Sequence, residues 1–79
     1  KKVVISGLFS TWPDRIQLAK KLQQLGADVN TSVTSKTQIL IAGNEVGPKK
    51  MEKMLDYISV DNSKRIIYEF EFNKMIGFH

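Results

Sequence analysis

Apolar and polar positions follow two different rhythms along this chain. Val3-Val4-Ile5 is a short run of branched apolar residues ending at Ser6-Gly7, the pattern of a strand buried on both faces. Pro13 is placed to open a helix, because proline is best tolerated at the first helical position. Asp14 suits the positive start of that helix. Leu18, Leu22 and Leu25 recur at helical spacing with Ile16 and Ala19 beside them, which predicts a core-facing stripe. Gly26 is expected to end the helix as a left-handed cap. Ala27 to Asn30 reads as a short strand, and the hydroxyl-rich Thr31 to Thr37 as a loop. Gln38 to Ala42 is a second buried strand, stopped by Gly43. Gly47-Pro48 starts another helix, with Met51, Met54, Leu55 and Ile58 as its apolar face. Val60 to Lys64 is predicted as a turn, Ile66-Ile67-Tyr68 as a last strand, and Glu69 to Ile76 as a final helix with Phe72, Met75 and Ile76 inward.

The predicted order is β-α-β-β-α-β-α. Buried strands joined by helices imply an α/β fold with a mostly parallel sheet covered on both faces. Ligands of such sheets sit at the carboxyl ends of the strands, where the chain changes direction. That edge carries Ser6-Gly7 and Gly43.

Composition narrows the classes. The 79 residues suffice for one compact domain, 1–79, and not for two. The lack of an initiating Met predicts a fragment of a longer protein. A net charge of +4 favours anionic partners, though mildly. There is no Cys, which removes disulfides and thiolate metal sites and suits an intracellular protein. No apolar run approaches the roughly 20 residues of a membrane span, and no secretory signal pattern is present.

Catalysis finds little to work with. The only histidine is His79, the last residue, so a Ser-His-Asp arrangement lacks a positioned base. No His and carboxylate cluster has metal-ligand spacing. Glu69 and Glu71 read as a solvated helix start. Gly7 stands alone, without the glycine-rich dinucleotide fingerprint, and the central strand ends in Ala42-Gly43 where a receiver domain would carry an acid. No cofactor, metal or small-molecule substrate is expected. An anion site is better supported. Ser6 offers a hydroxyl at a strand end, Gly7 lets its N–H approach a ligand closely, and a helix start nearby is partly positive. The alternative is an ordinary tight turn. Arg15 precedes Leu18, Ala19 and Leu22 by three, four and seven residues, so it is predicted to share their inward face. A cation in the first helical turn opposes the helix dipole. It calls for an anion, or else an ion pair with Glu45 or Asp14. Lys50 borders the apolar face of its helix near the start, while Lys49 and Lys53 point further toward solvent. Phe9 and Trp12 lie in the first loop, either to stack on a ligand or to cover the core.

The segments VVISGLFS, a helix bearing Arg15 and ending LGADV, SVTSKTQILIAG, GPKKMEK and RIIYEFEFNKMI together resemble a BRCT domain from end to end. SVTSKTQILIAGNEVGPKKMEK is the most specific part. It is similar to the subgroup found in bacterial NAD-dependent DNA ligases and in the large subunit of replication factor C, the ligase type being nearer. The resemblance implies a four-stranded parallel sheet in the order 2-1-3-4 flanked by three helices. It also implies a phosphate pocket, in which Ser6 and Gly7 match the family's Ser/Thr-Gly pair and Lys50 its pocket lysine. Arg15 matches an arginine of the replication-factor type, with a loop one residue longer here. The implied function is a non-catalytic module of a replication or repair protein, in the bacterial cytoplasm or a nucleus. It binds a DNA phosphate, a 5′ end, with Thr11, Lys49 and Lys53 as contacts to the DNA backbone. The alternative is protein docking or phosphopeptide binding. Three departures bear on this. Met54 stands where alanine is common, ISVDNSKR is a longer link than usual, and the third-helix Trp of many phosphopeptide-binding repeats is missing.

Overall fold

Strands and helices alternate through a computed structural model that describes residues 1–77; His79 lies outside the described residues. The elements are β1 (Lys2–Ser6), α1 (Arg15–Gln24), β2 (Asp28–Asn30), β3 (Ile39–Ala42), α2 (Pro48–Val60), β4 (Arg65–Tyr68) and α3 (Glu69–Met75). The four strands form one sheet in the order β2-β1-β3-β4, every pairing parallel. Ser6, Ala42 and Tyr68 share one register row at the carboxyl edge. The chain leaves β1 toward one side and β3 toward the other, so the two central strands bound the crevice where such sheets bind ligands.

Two apolar layers cover the sheet. On one face Val3, Ile5, Ile41 and Ile67 pack with Leu18 and Leu22 of α1 and Phe72 of α3. On the other, Val4 and Leu40 pack with Met54 of α2 and with Val33. Alternation along β1 therefore sends odd residues to α1 and α3 and even ones to α2, which is why its central run is apolar throughout. Each such side chain, fully buried, contributes about 1.5–3 kcal/mol.

Several boundaries and faces differ from expectation. Helix α1 starts at Arg15 rather than Pro13, because Asp14 is its N-cap and accepts the Ile16 N–H at 2.9 Å. Ile16 and Leu25 are exposed, at 62% and 58%. This ten-residue helix turns only a narrow stripe, Leu18 and Leu22, fully to the sheet, and Leu25 already lies in the C-cap. Gly26 has φ +89° and ends α1 as predicted. On α2 Leu55 is exposed, and Tyr57 packs beside Met51, Met54 and Ile58 instead. Val60 belongs to α2 and not to the following turn. Met75 of α3 faces out at 61%, whereas Ile76 joins the core.

Two polar groups hold the connections. Lys64 is only 5% exposed. Its Nζ donates to Ser35 O at 2.6 Å and Thr37 O at 2.7 Å, tying the β2–β3 loop to the approach of β4. Glu69 is half-buried and not a solvated helix start. Its carboxylate accepts from Thr11 N at 2.7 Å and from Ser10 N and Oγ at 3.2 Å. Burial pushes this carboxyl up, but the bonds from Thr11 and Ser10 outweigh it and hold it below the ordinary glutamate value.

Candidate anion site at the sheet edge

Ser6, Gly7, Leu8, Arg15, Glu45, Gly47, Pro48, Lys49 and Lys50 line one cleft of about 610 Å³. Strand β1 delivers Ser6 to its floor. The side chain alternates onto the α2 face and the residue is 5% exposed; its hydroxyl makes no hydrogen bond among the described residues and, since none of their buried polar atoms is unpaired, it keeps access to the cleft.

Gly7 is buried, with φ +93°. A Cβ there would stand 2.6 Å from Asn44 O, so only glycine fits. Gly43 makes the matching close approach from β3, where a Cβ would overlap the Leu8 carbonyl. Between these glycines the two loops exchange backbone bonds, Leu8 N to Asn44 O and Asn44 N to Leu8 O, both 2.7 Å. The β1–α1 and β3–α2 connections thus form one continuous wall.

Helix α2 delivers the cations. Its N-cap is Gly47, which makes no side-chain cap bond, and Pro48 follows at the helix start. The first-turn N–H groups face the cleft end of the helix uncapped, and the helix dipole adds partial positive charge there. Lys50 is half-buried and Lys49 exposed; neither forms an ion pair among the described residues. Arg15 is exposed rather than inward, since N1 lies at the rim of α1. Its Nη2 donates to Gly7 O at 2.9 Å, so it braces the turn from the cleft side and pairs with neither Glu45 nor Asp14. Glu45 is the opposing charge in the lining, held in the left-handed region at φ 58°.

The remaining residues of interest lie elsewhere. Lys53 is exposed one turn further along α2, outside the lining. Thr11 is fastened to α3, its Oγ1 accepting from Asn73 Nδ2 at 3.0 Å. Phe9 is buried at 5%, and Trp12 is half-buried with its ring 6.3 Å from that of Phe72. Both cover the core, and neither lines the cleft. Sequence reasoning missed Lys64 and Glu69. For Glu69 a signal existed, a carboxylate at a strand–helix junction, but its partners are 58 and 59 residues away. Among the described residues no group of His, Cys, Asp and Glu could hold a metal, and no helix is long and apolar enough to cross a membrane.

Comparison with known proteins agrees with this architecture. The family model for the BRCA1 C Terminus (BRCT) domain matches residues 1–76. A DNA ligase of Alkaliphilus oremlandii is 38% identical over 78 residues, covering 96% of this chain and 12% of the ligase. One of Clostridium tetani is 38% identical over 77 residues, covering 98% and 10%. One of Oenococcus oeni is 36% identical over 74 residues, covering 82% and 11%. The chain therefore spans about a tenth of the length of the curated relatives it matches. With the parallel 2-1-3-4 sheet, the three flanking helices and the family pattern running through nearly every described residue, the chain belongs to the BRCT domain family.

Proposed function

We propose that this domain is a non-catalytic module of a longer, DNA ligase-like replication or repair protein, and that it holds a DNA phosphate in the cleft at the edge of β1 and β3. The observation that carries this is the cleft itself, in which the accessible Ser6 hydroxyl, not bonded within the protein, meets Gly7 and cations that are not in ion pairs. Ser6 Oγ and the Gly7 N–H are the hydrogen-bond donors. Lys50, Arg15 and the uncapped start of α2 supply charge, and Lys49 and Lys53 reach the DNA backbone beside the cleft. Three cations against Glu45 leave the lining net positive, so the field favours a terminal phosphate monoester, with its extra negative charge, over an internal diester. A 5′ phosphate end is the substrate of choice. The cellular setting that follows is wherever DNA is handled, bacterial cytoplasm or nucleus.

The test is titration of the chain and of Lys50→Ala with one duplex, with and without a 5′ phosphate. The phosphorylated duplex should bind more tightly, and Lys50→Ala should lose roughly tenfold or more of that preference, the worth of one charge-assisted hydrogen bond. Equal affinity for both duplexes, unchanged by Lys50→Ala, would overturn the proposal. Selection of a phosphorylated peptide with no duplex preference would move the same anion chemistry to a protein partner.

A further inference from the structure

We propose that Leu8 is a specificity-determining residue of the cleft: its exposed side chain covers the bare face of the terminal base pair beside a bound 5′ phosphate, so that the domain selects a duplex end over the same phosphate at an internal nick. This deepens the phosphate reading above and rests on it.

Apart from its glycines, the cleft lining has two apolar members, Leu8 and Pro48. Pro48 has a local reason to be there, since it opens α2. Leu8 has none. The core does not use it: Leu8 is 60% exposed, while Phe9 beside it turns inward and is 5% exposed. The backbone does not call for a leucine either. Leu8 N donates to Asn44 O and Leu8 O accepts from Asn44 N, both at 2.7 Å, bonds that any residue but proline makes equally well. With both main-chain groups taken, the side chain is what Leu8 still offers to the cleft. Its root is held firmly. The pair with Asn44 is an isolated antiparallel bridge, and the backbone at Gly43 runs so close that a Cβ there would stand 2.4 Å from Leu8 O. An apolar side chain therefore rises from a fixed backbone, one residue from the Gly7 N–H and in the same lining as Arg15 and Lys50.

A phosphate alone gives such a side chain nothing to cover. The group that follows a 5′ phosphate into the site is its own nucleotide, and at a duplex end the terminal base pair presents a face on which no neighbour stacks. Leu8 covers that face, taking apolar surface out of water on both partners. Every base has such a face, so the contact tolerates any terminal sequence. Across a nick the base pairs stay stacked, and both faces are already covered. There Leu8 would have to act as a wedge and unstack them first. The fixed backbone widens the difference, because little freedom is lost when Leu8 meets an end.

The experiment measures the affinity of wild type, Leu8→Ala, Leu8→Gln and Leu8→Phe for three DNAs of one sequence. These are a hairpin with one blunt 5′-phosphorylated end, the same hairpin without the phosphate, and a closed dumbbell whose single 5′ phosphate lies at a nick. Each variant is checked for folding by circular dichroism. Wild type should bind the phosphorylated end more tightly than the nick. Leu8→Ala and Leu8→Gln should lose roughly three- to tenfold at the end, the order expected for covering part of a leucine side chain, and should change little at the nick. Leu8→Phe, which offers a flat ring, should keep the preference for the end. A wild type that holds the nick as tightly as the end overturns the proposal. So does a Leu8→Ala that weakens both equally or neither, and so does a Leu8→Gln that matches wild type. If Leu8→Ala does not fold, Leu8→Gln and Leu8→Phe carry the comparison, and equal end preference in those two overturns it. Equal wild-type affinity for the phosphorylated and unphosphorylated hairpins is a separate failure, that of the phosphate reading, and takes this inference with it.

Discussion

At the scale of single residues, the most constrained positions are those where a side chain is absent or a charge is buried. Gly7 and Gly43 are required because two loop backbones pass within contact distance of where a Cβ would stand. Lys64 is the opposite case, a lysine at 5% exposure whose Nζ donates to two backbone carbonyls. Those bonds are short and charge-assisted, and Thr37, one of the two acceptors, is itself 1% exposed. Removing the ammonium strands a buried carbonyl. Lys64→Ala should therefore cost about 1–3 kcal/mol, lowering the melting temperature by roughly 4–8 °C per kcal/mol in a domain of this size. Urea denaturation at neutral pH measures it, and an unchanged midpoint would show that the two carbonyls find other partners. Nothing in the local sequence marks Lys64, which sits in a polar stretch and reads as a surface lysine.

At the scale of elements, the short helices bury less than their apolar spacing promises. Leu18 and Leu22 reach the core, while Ile16, Leu25, Leu55 and Met75 do not. A helix seated on a four-stranded sheet offers it one narrow stripe, so residues about 100° away face solvent even when apolar. Polar contacts make up part of the difference for α3. The Glu69 carboxyl is lower in the folded chain than its ordinary value, so its ionised form favours folding. That contribution is complete above the unfolded glutamate pKa and is lost as pH falls through the depressed folded value. Asp61, lowered by its hydrogen bonds from Ser63, loses stability in the same direction. Wild type should therefore weaken between neutral pH and about pH 3. Glu69→Gln should weaken less over that range, while starting less stable at pH 7. Urea midpoints for both proteins across that range give the comparison, and parallel curves would remove Glu69 from the acid response.

At the scale of the whole molecule, the net charge of +4 matters less than its placement. Lys49 and Lys50 stand with Arg15 in the cleft lining, and Lys53 follows one turn along the exposed side of α2. A cation in contact with DNA releases one counterion, whereas one that merely raises net charge does not. Lys53→Ala should reduce the slope of log affinity against log salt by at most about 0.9 and leave the preference for a 5′ phosphate unchanged. Binding isotherms at several salt concentrations decide this. A slope equal to that of wild type would place Lys53 outside the DNA contact.

The sequence by itself determined the order of elements, the parallel sheet, the family and the identities of Ser6, Gly7, Arg15 and Lys50 as cleft residues. The reason is local. Strand and helix periodicities, caps and breakers act over a few residues, and each of those four sits beside such a signal, at a strand end or a helix start. Tertiary structure alone decided the rest. It turned Ile16, Leu25, Leu55 and Met75 outward and Arg15 toward the Gly7 carbonyl rather than into the core or onto Glu45. It also buried Lys64 and set Glu69 and Asn73 against a loop some 60 residues earlier. A hydrogen bond between residues so far apart in sequence leaves no periodic trace in either segment, because it depends on how α3 and the β1–α1 connection are brought over the same end of the sheet.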